Sequence, residues 1–460
     1  MTGQDPDPGR SSTNHRTPAR LCALVPDVDA TAPHARLRMP APTTSRGARL
    51  SPTRRLLITL TAAPRPTSSI LHAPRSLDDV YGPGVAVCAR PAIEPGVPVT
   101  RHRGTRDVFS ARPVAVAGDT PLVCSAGGTD PELLAHLRDS GLPTGTELRP
   151  FHDEAGFAAR LAEALADGLR IAAEYPLPAV LCPADRAVKS GALVGLLNNK
   201  AGIDTLVDPA FRARRTRVPR AALAAATPTG TSWVLKGATD HAHGGSLDVY
   251  LHRAGDPVAL PVFTELLDEF VVEEYLTITH NWGVQLHVPV DGTARLLAVT
   301  EQRIDAAGIY SGGRFGAVDQ PPAALLAECL AVASRAADLG YRGMCSLDCA
   351  RTDDGRLVLL DLNFRLTGGS VPVLAMATAG EGAIAESVTL TSPAPIADLL
   401  TELRPHRAAG DLLVVGGHDS GRTDNPVRLS TVQVLVLGDD PDVVTARRHA
   451  LATRRGPQWR

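Results

Sequence analysis

The clearest alternation of apolar and polar positions lies in residues 344–369, where two apolar runs flank Asp354-Gly355. An Asp-Gly pair in this setting predicts a tight β-hairpin turn. If these two residues form the turn, the register places Asp348 directly opposite Asp361. The apolar positions of the two strands then share the other face: Leu347, Cys349, Leu360, Leu362 and Phe364.

The polar face of this hairpin contains side chains that could bind a metal ion. Facing carboxylates at about 5 Å repel each other and weaken a bare hairpin. A divalent cation between Asp348 and Asp361 reverses the sign of that interaction, and Asn363, opposite Ser346, adds a hard oxygen ligand. Arg365 follows on the same face. The alternative is an ordinary solvated face on an edge hairpin, but the shared face and fixed register favour a metal site.

Before the hairpin, the pattern predicts an α/β sheet of the doubly wound type. A strand, a glycine turn and a capped helix from Pro131 to Ser140 follow one another, and a long amphipathic helix is expected from Asp153 to Ala173. The dinucleotide fingerprint GxGxxG is absent. The short apolar runs predict strands at Leu56–Leu60, Gly84–Cys88, Val114–Ala117, Pro121–Cys124 and Ala179–Cys182.

In the second half, Trp233–Leu235 reads as a strand that delivers Lys236 to a polar loop. Backbone N–H groups of Gly244, Gly245 and Ser246 in that loop are suited to phosphate oxygens. Val271–Leu276 predicts a strand running into an extended segment. The remaining expected elements are strands at Trp282–Pro289, Ala294–Thr300, Asp411–Val415 and Thr431–Leu437, and helices at Ala187–Asn198, Pro322–Leu339, Val373–Thr389 and Asp440–Thr453.

Composition narrows the class of protein. The chain has 460 residues, a hydrophobic content of 44% and a net charge of −2, so no overall field indicates nucleic acid or a membrane surface. Seven cysteines without a CxxC pair suit a reducing cytoplasm. Of 47 basic residues only Lys189, Lys200 and Lys236 are lysine, and a retained lysine can serve as a compact charge for a phosphate. Residues 1–53 are rich in Pro and Arg and are expected to be a disordered tail.

Taken together, six segments in order resemble the ATP-grasp ligases over residues 55 to about 455: Leu196-Leu-Asn-Asn-Lys200, Trp233-Val-Leu-Lys-Gly237, Gly244-Gly-Ser246, Val271-Val-Glu-Glu-Tyr-Leu276, Ser346-Leu-Asp348 and Leu360-Asp-Leu-Asn-Phe-Arg365. The segment Arg365-Leu-Thr-Gly-Gly369 and the carboxy-terminal unit look most like actinobacterial peptide ligases of the pheganomycin type. The resemblance implies a pre-ATP-grasp α/β domain (54–199), a two-lobed ATP-grasp domain (200–395, with a lid-like subdomain at about 228–278), and a completing strand–helix unit (396–460).

The resemblance also implies roles for single residues. Lys200 and Lys236 would contact ATP, and Arg365 would stabilise the acyl-phosphate or the tetrahedral intermediate. Asp348, Asp361 and Asn363 would hold Mg²⁺, as two ions, with Mn²⁺ as the substitute. Adenine would lie against the backbone of Glu274, Tyr275 and Leu276, with Glu273 as the candidate for the ribose.

These features predict a cytoplasmic, ADP-forming ligase that joins a small carboxylate and an amine, amino acids or peptides, in a natural-product pathway. Phosphoryl transfer needs positioning and charge neutralisation, so no nucleophilic side chain is required. Candidates for the acceptor pocket are Glu301, Arg303, Ser311 and Gly312. No nucleic-acid or membrane partner is expected. The protein is expected to form a homodimer. An ATP-grasp phosphotransferase and a non-catalytic nucleotide-binding protein stay open as alternatives, and an oxidoreductase is disfavoured.

Overall fold

The computed structural model describes residues 74–91, 103–241, 248–305 and 308–453, without the side chains of 103–105 and 453. All of them belong to one compact unit, residues 64–460. The strand expected at Leu56–Leu60 and the loop residues Gly244, Gly245 and Ser246 lie outside the described residues. No helix in the described ranges is long and apolar enough to cross a membrane.

The amino-terminal part contains a parallel four-stranded sheet in the order β3-β2-β1-β4. Its strands are β1 (Val85–Cys88), β2 (Leu122–Ser125), β3 (Leu148–Phe151) and β4 (Arg170–Ala173). The accompanying helices are α1 (Leu77–Tyr81), α2 (Arg103–Ala111), α3 (Pro131–Asp139), α4 (Glu154–Ala166) and α5 (Gly191–Asn198). A buried cluster between the four strands and α4 includes Phe151, Phe157 and Ile171. This parallel sheet agrees with the α/β prediction.

Three predicted elements in this part are wrong, and the helix expected at Ala187–Asn198 begins only at Gly191. The helix expected to reach Ala173 ends at Ala166, because Gly168 turns the chain at φ +85°, and the apolar residues beyond it form β4. Val114–Ala117 is not a strand, since a short 3-10 helix covers Arg112–Val116 and begins with proline at its second position. Ala179–Cys182 forms turns instead of the expected strand.

A second, antiparallel sheet has the order β5-β8-β6-β7. Its strands are β5 (Arg215–Pro219), β6 (Trp233–Gly237), β7 (Val249–His252) and β8 (Glu269–Glu274), with short helices α6 (Ile203–Leu206), α7 (Leu223–Ala226) and α8 (Phe263–Leu266). Trp233, Leu235 and Phe270 fill its own small core. This sheet holds Lys236 and Glu273 on neighbouring strands.

The third sheet has eight strands in the order β13-β12-β9-β10-β11-β14-β16-β15. They are β9 (Ile278–Val288), β10 (Arg295–Ile304), β11 (Tyr310–Phe315), β12 (Gly343–Thr352), β13 (Leu357–Asn363), β14 (Ile384–Ser392), β15 (Leu412–Asp419) and β16 (Ser430–Gly438). The helices are α9 (Ala323–Asp338), α10 (Ser370–Ala379), α11 (Ile396–Ala408) and α12 (Pro441–Thr453). The helix expected at Val373–Thr389 is therefore wrong in its second half, because Gly380 ends α10 at φ +99° and β14 follows.

The β12–β13 hairpin confirms the predicted pairing of Asp348 with Asp361 and of Ser346 with Asn363. The turn itself differs by one residue, since Thr352 N donates to Arg356 O at 3.0 Å and three residues lie between these two. A β-bulge between Asp348 and Cys349 absorbs the difference, so Cys349 pairs with Leu359.

The bulge leaves Leu360 without a cross-strand partner and moves Leu359 into the core position that the two-residue turn gives to Leu360. Leu347, Cys349, Leu362 and Phe364 are buried as expected. The consequence for the site is that the carbonyl of Leu360 is free to accept a hydrogen bond from another element.

Candidate active site

A cavity of about 560 Å³ opens where the three sheets approach one another. It is bordered by β7, by the polar face of the hairpin, by the strands β10 and β11, and by residues of the amino-terminal part. The predicted residues that line it are Lys200, Asp348, Asp361, Asn363, Arg365, Ser311 and Gly312. Residues separated by more than 100 positions in the chain thus meet at one concave site.

Asp348 and Asp361 form the acidic part of this cavity. Burial, and then the negative charge of Asp361, raise the pKa of Asp348 to about 6. Burial also works against the charge of Asp361, but Lys200 and Lys236 outweigh it and hold the pKa of Asp361 below its ordinary value. Gln302 Nε2 donates to Asp348 Oδ1 at 2.7 Å, and Asn363 Nδ2 donates to Asp348 Oδ2 at 3.2 Å.

Both predicted lysines are buried and paired with acids. Lys200 Nζ lies 2.7 Å from Asp361 Oδ1 and 2.6 Å from Oδ2. Burial opposes its charge, yet Asp361 prevails and raises the pKa of Lys200. Lys236 Nζ lies 2.7 Å from Glu273 Oε2 and donates at 2.7 Å to the carbonyl of Leu360. Through this bond to the carbonyl that the bulge leaves free, Lys236 connects the second sheet to the hairpin beside Asp361.

Arg365 is buried and its guanidinium is oriented by three neighbours. Nη1 donates to Asn198 Oδ1, and Nη2 donates to Asn363 Oδ1 at 2.5 Å. The guanidinium also lies 5.6 Å from the ring centre of Tyr175. Asn198 Oδ1 in addition accepts the N–H of Phe364 at 3.0 Å, so one amide holds both the strand end and the arginine.

The chain just after Arg365 is anchored to the amino-terminal part by Glu174, which is fully buried. Glu174 Oε2 accepts the N–H of Leu366 at 2.6 Å, and Oε1 accepts from Lys189 Nζ at 3.0 Å and from the hydroxyl of Tyr81. Burial raises the pKa of Tyr81 well above 10, so the phenol stays a donor.

The predicted adenine segment lies outside the cavity lining. Although partial burial works against it, hydrogen bonds from Arg356 and Arg214 lower the pKa of Glu274 to about 2. The Glu274 side chain is therefore engaged in fixing β8 to the hairpin turn. Glu273 is held between Lys236 and Arg215 Nη1, the latter at 3.1 Å.

The four predicted acceptor residues separate into two pairs. Ser311 and Gly312 line the cavity, whereas Glu301 and Arg303 do not. Arg303 is instead bonded to the buried carboxylate of Glu386, with Nη1 at 2.6 Å. Strand alternation explains the separation, because Thr300, Gln302 and Ile304 of the same strand are the cavity residues.

Sequence reasoning did not select Gln302, Asn198 or Glu174. Asn198 was within reach, since it belongs to the Leu-Leu-Asn-Asn-Lys segment that carries Lys200. Gln302 had a weaker signal, a neutral residue between Glu301 and Arg303. Nothing near Glu174 in the sequence indicates its contact with Leu366, which is 192 positions away.

The donor set fits a divalent cation. Two carboxylates and the amide of Asn363 line the cavity, and Mg²⁺ commonly binds one or two carboxylates together with phosphate oxygens of its substrate. A bound cation would replace Lys200 at Asp361 and Arg365 at the amide oxygen. Among the described residues, no three His, Cys, Asp or Glu side chains could hold a metal by themselves. A metal held here would take its remaining ligands from water or from a bound substrate.

Comparison with known proteins agrees with this geometry. Two family models match: the L-aspartate–L-methionine ligase N-terminal domain over residues 76–195, and the L-aspartate–L-methionine ligase ATP-grasp domain over residues 213–363. No curated protein matches the chain.

Solved structures share the fold. The N5-carboxyaminoimidazole synthetase from Staphylococcus aureus has a TM-score of 0.50 and 13% identity, with 81% of this chain and 97% of that chain covered. The N5-carboxyaminoimidazole synthase from Aspergillus clavatus, in complex with ADP and 5-aminoimidazole ribonucleotide, has a TM-score of 0.50 and 13% identity, with 80% of this chain and 97% of that chain covered. An ADP complex of N5-carboxyaminoimidazole ribonucleotide synthetase has a TM-score of 0.50 and 15% identity, with 66% of this chain and 85% of that chain covered.

The fold, the site and the matching ATP-grasp model define an ATP-grasp enzyme, an ATP-dependent carboxylate–amine ligase that forms a C–N bond. This confirms the predicted fold class and type of reaction. Both matching models are described as domains of the L-aspartate–L-methionine ligase, so the chain is similar to that family over residues 76–195 and 213–363. The narrower resemblance to ligases of the pheganomycin type stays a prediction.

Proposed function

We propose that this enzyme joins L-aspartate to L-methionine, with ATP cleaved to ADP and phosphate through an acylphosphate of the aspartate. The substrates are those in the name of the matching family. The observation that carries the proposal is the convergence of Asp348, Asp361, Lys200 and Arg365 on one cavity. These are the charges that a carboxylate, a triphosphate and a divalent cation need to meet.

At the phosphate end, Lys200 and Lys236 bind the nucleotide. Each is paired with a carboxylate, Asp361 and Glu273 respectively, so its charge is already held in place by the protein. Binding of the triphosphate adds negative oxygens, which the ammonium groups neutralise in the transition state. The predicted Gly244, Gly245 and Ser246 contacts to phosphate remain part of this proposal.

Asp348, Asp361 and Asn363 hold the metal, Mg²⁺ with Mn²⁺ as its substitute, and two ions are expected. When bound, the cation neutralises phosphate charge and orients the γ-phosphoryl group. Gln302 orients Asp348 by the 2.7 Å hydrogen bond to Oδ1. The protein thus supplies the hard oxygens and their orientation before the nucleotide arrives.

At the acyl end, Arg365 faces the reacting carbonyl. The substrate carboxylate attacks the γ-phosphorus and ADP leaves; the amine then attacks the acyl carbon and phosphate leaves. Arg365 stabilises the negative oxygen in both steps, and because Asn198 and Asn363 fix its guanidinium, little reorganisation is needed. The cavity walls keep water away from the acylphosphate.

The nucleotide base lies at the end of β8. We assign the backbone of Glu274, Tyr275 and Leu276 to adenine, and the carboxylate of Glu273 to the ribose. The support is positional, since β8 ends at Glu274 and is tied to the hairpin turn through Arg356. The predicted division at residues 54–199, 200–395 and 396–460, the cytoplasmic location, the natural-product role and the homodimer are carried forward in the same proposal.

The test is to incubate the purified protein with Mg-ATP, L-aspartate and L-methionine and to follow ADP, AMP and the mass of the product. We expect one ADP per condensed dipeptide, with turnover dependent on both amino acids. The matched control replaces a surface acid, Glu163→Gln, and keeps full activity. ADP release without any condensation product, or release of AMP, would contradict the proposal.

A further inference from the structure

Arg112 is a positively charged side chain of the cavity that neither the proposed mechanism nor the sequence prediction uses. It follows α2 directly and lines the cavity together with Phe109, Tyr175 and Tyr310. Its guanidinium lies 4.3 Å from the ring centre of Phe109. Across the described ranges, no carboxylate, carbonyl or hydroxyl is hydrogen-bonded to this guanidinium.

The contrast with the other arginine of the cavity is informative. Arg365 donates to Asn198 and Asn363, so its donors are partly occupied by the protein. Around Arg112 the interacting titratable groups are the phenols of Tyr175 and Tyr310, and no carboxylate is among them. Burial lowers the pKa of Arg112, since water is withdrawn and no carboxylate replaces it. Arg112 is half-buried, and a partly desolvated guanidinium without a counter-ion is a binding site for an anion.

The two arginines are connected by stacked rings. Phe109 and Tyr175 stack with 6.0 Å between ring centres and 6° between planes. Arg112 packs over the first ring and Arg365 over the second. The two stacked rings lie between Arg112 and Arg365, so the two guanidinium groups offer separate anion positions in the same cavity.

We infer that Arg112 binds the α-carboxylate of the amine substrate by a two-pronged guanidinium–carboxylate contact. The inference rests on the proposed function, in which the carboxylate of L-methionine is kept in the product while one of the two carboxylates of L-aspartate is converted to the amide. The carboxylate that is activated is neutralised by Arg365, the lysines and the metal. The carboxylate of L-methionine needs a cation of its own, and Arg112 is the cavity arginine whose donors the protein leaves open.

The experiment compares L-methionine with L-methioninamide, which lacks the negative charge, on wild type, Arg112→Gln and Arg112→Lys. Binding is measured by calorimetric titration in the presence of Mg²⁺ and a non-hydrolysable ATP analogue, and KM by ADP release. The matched control is Arg160→Gln, an arginine on the surface of α4. KM values for ATP and L-aspartate are measured on every variant, and circular dichroism checks that each has folded.

We expect Arg112→Gln to weaken L-methionine binding about 30- to 100-fold, the usual effect of losing a hydrogen bond to a charged group. Wild type should bind L-methioninamide weakly, and the substitution should change that affinity less than threefold. KM for ATP and for L-aspartate should also change less than threefold. Arg160→Gln should behave as wild type.

Two outcomes overturn the inference. One is that wild type binds the amide as tightly as L-methionine, which needs no variant to measure. The other is that Arg112→Gln weakens L-aspartate and leaves L-methionine unchanged. Titration needs no turnover, so the two proposals can fail separately. If L-methionine binds through its carboxylate and Arg112 but no dipeptide forms, the Arg112 site is supported and the proposed reaction is refuted. If the dipeptide forms equally well with and without Arg112, the proposed reaction is supported and the Arg112 site is refuted.

Discussion

The buried ion pair between Glu174 and Lys189 gives the strongest prediction on stability. Both side chains have zero exposure, and Lys189 Nζ lies 3.0 Å from Glu174 Oε1. Replacing Glu174 by Gln preserves the shape but leaves the ammonium group buried without a counter-ion. Breaking one side of such a pair costs about 3–5 kcal/mol.

The surroundings of Lys189 favour the lower end of that range. Its ammonium also lies 4.9 Å from the ring centre of Tyr341 and 5.8 Å from that of Tyr81. Desolvated cation–π contacts are worth up to about 2 kcal/mol and persist after the substitution. We therefore expect Glu174→Gln to lower the free energy of unfolding by about 3 kcal/mol, within the cost of breaking a buried pair.

The assay is urea unfolding followed by circular dichroism on a small set of variants. Glu174→Gln with Lys189→Met removes both charges and should recover at least half of the loss, because no unpaired ion remains. Glu163→Gln breaks the exposed pair with Arg160 and should cost no more than about 0.5 kcal/mol. Equal effects of Glu174→Gln and Glu163→Gln, or a double variant less stable than Glu174→Gln, would refute the reasoning.

Three further predictions concern the site and the pH. Asp361→Asn should lower kcat at least about 1,000-fold, at the upper end for loss of an electrostatic stabiliser, without changing the circular dichroism spectrum; an active variant would remove the acid pair from the metal role. Gln302→Leu should raise the Mg²⁺ concentration for half-maximal activity about 10- to 100-fold, as for other residues that orient a metal ligand, whereas Glu301→Gln should not; equal responses would contradict the assignment. Burial lowers the pKa of His418 to about 4, so the unfolded state binds its proton first and stability should fall by about 1.4 kcal/mol per pH unit below pH 6.5. His418→Gln should reduce that slope by about one proton, as measured by urea unfolding at pH 7.5 and 5.

The hairpin shows what a sequence pattern can and cannot determine. The Asp354-Gly355 turn signal predicts the register that places Asp348 opposite Asp361. The bulge was invisible, since Leu357-Val-Leu-Leu360 is apolar throughout and a one-residue shift between Leu359 and Leu360 changes no pattern. The error in the turn and the bulge cancel at the acid pair.

Boundary errors had a similar origin. Ile171 and its neighbours continue the apolar pattern of α4, so only Gly168 marks the change from helix to strand. In the segment 373–389 the same role falls to Gly380. Apolar residues of this kind suit a buried strand as well as a helix face, and length alone does not decide between them.

The site residues that belong to short sequence motifs could be predicted. Those that only the folded chain brings to the cavity could not. Lys200, Asp361 and Arg365 lie in recognisable segments and meet in the cavity. Glu301 and Arg303 were preferred because they are charged, although strand alternation turns Gln302 to the cavity instead. Arg112 comes from a helix end in the amino-terminal part, which no local pattern connects with Arg365.

The central claim is that a substrate carboxylate attacks the γ-phosphate at the hairpin site. The most direct measurement uses L-aspartate labelled with oxygen-18 in its carboxylates, together with Mg-ATP and L-methionine, and mass analysis of the released phosphate. We predict that one labelled oxygen passes to inorganic phosphate for each dipeptide formed, because the acylphosphate breaks at the acyl carbon. Label found in AMP, or phosphate without label, would contradict it.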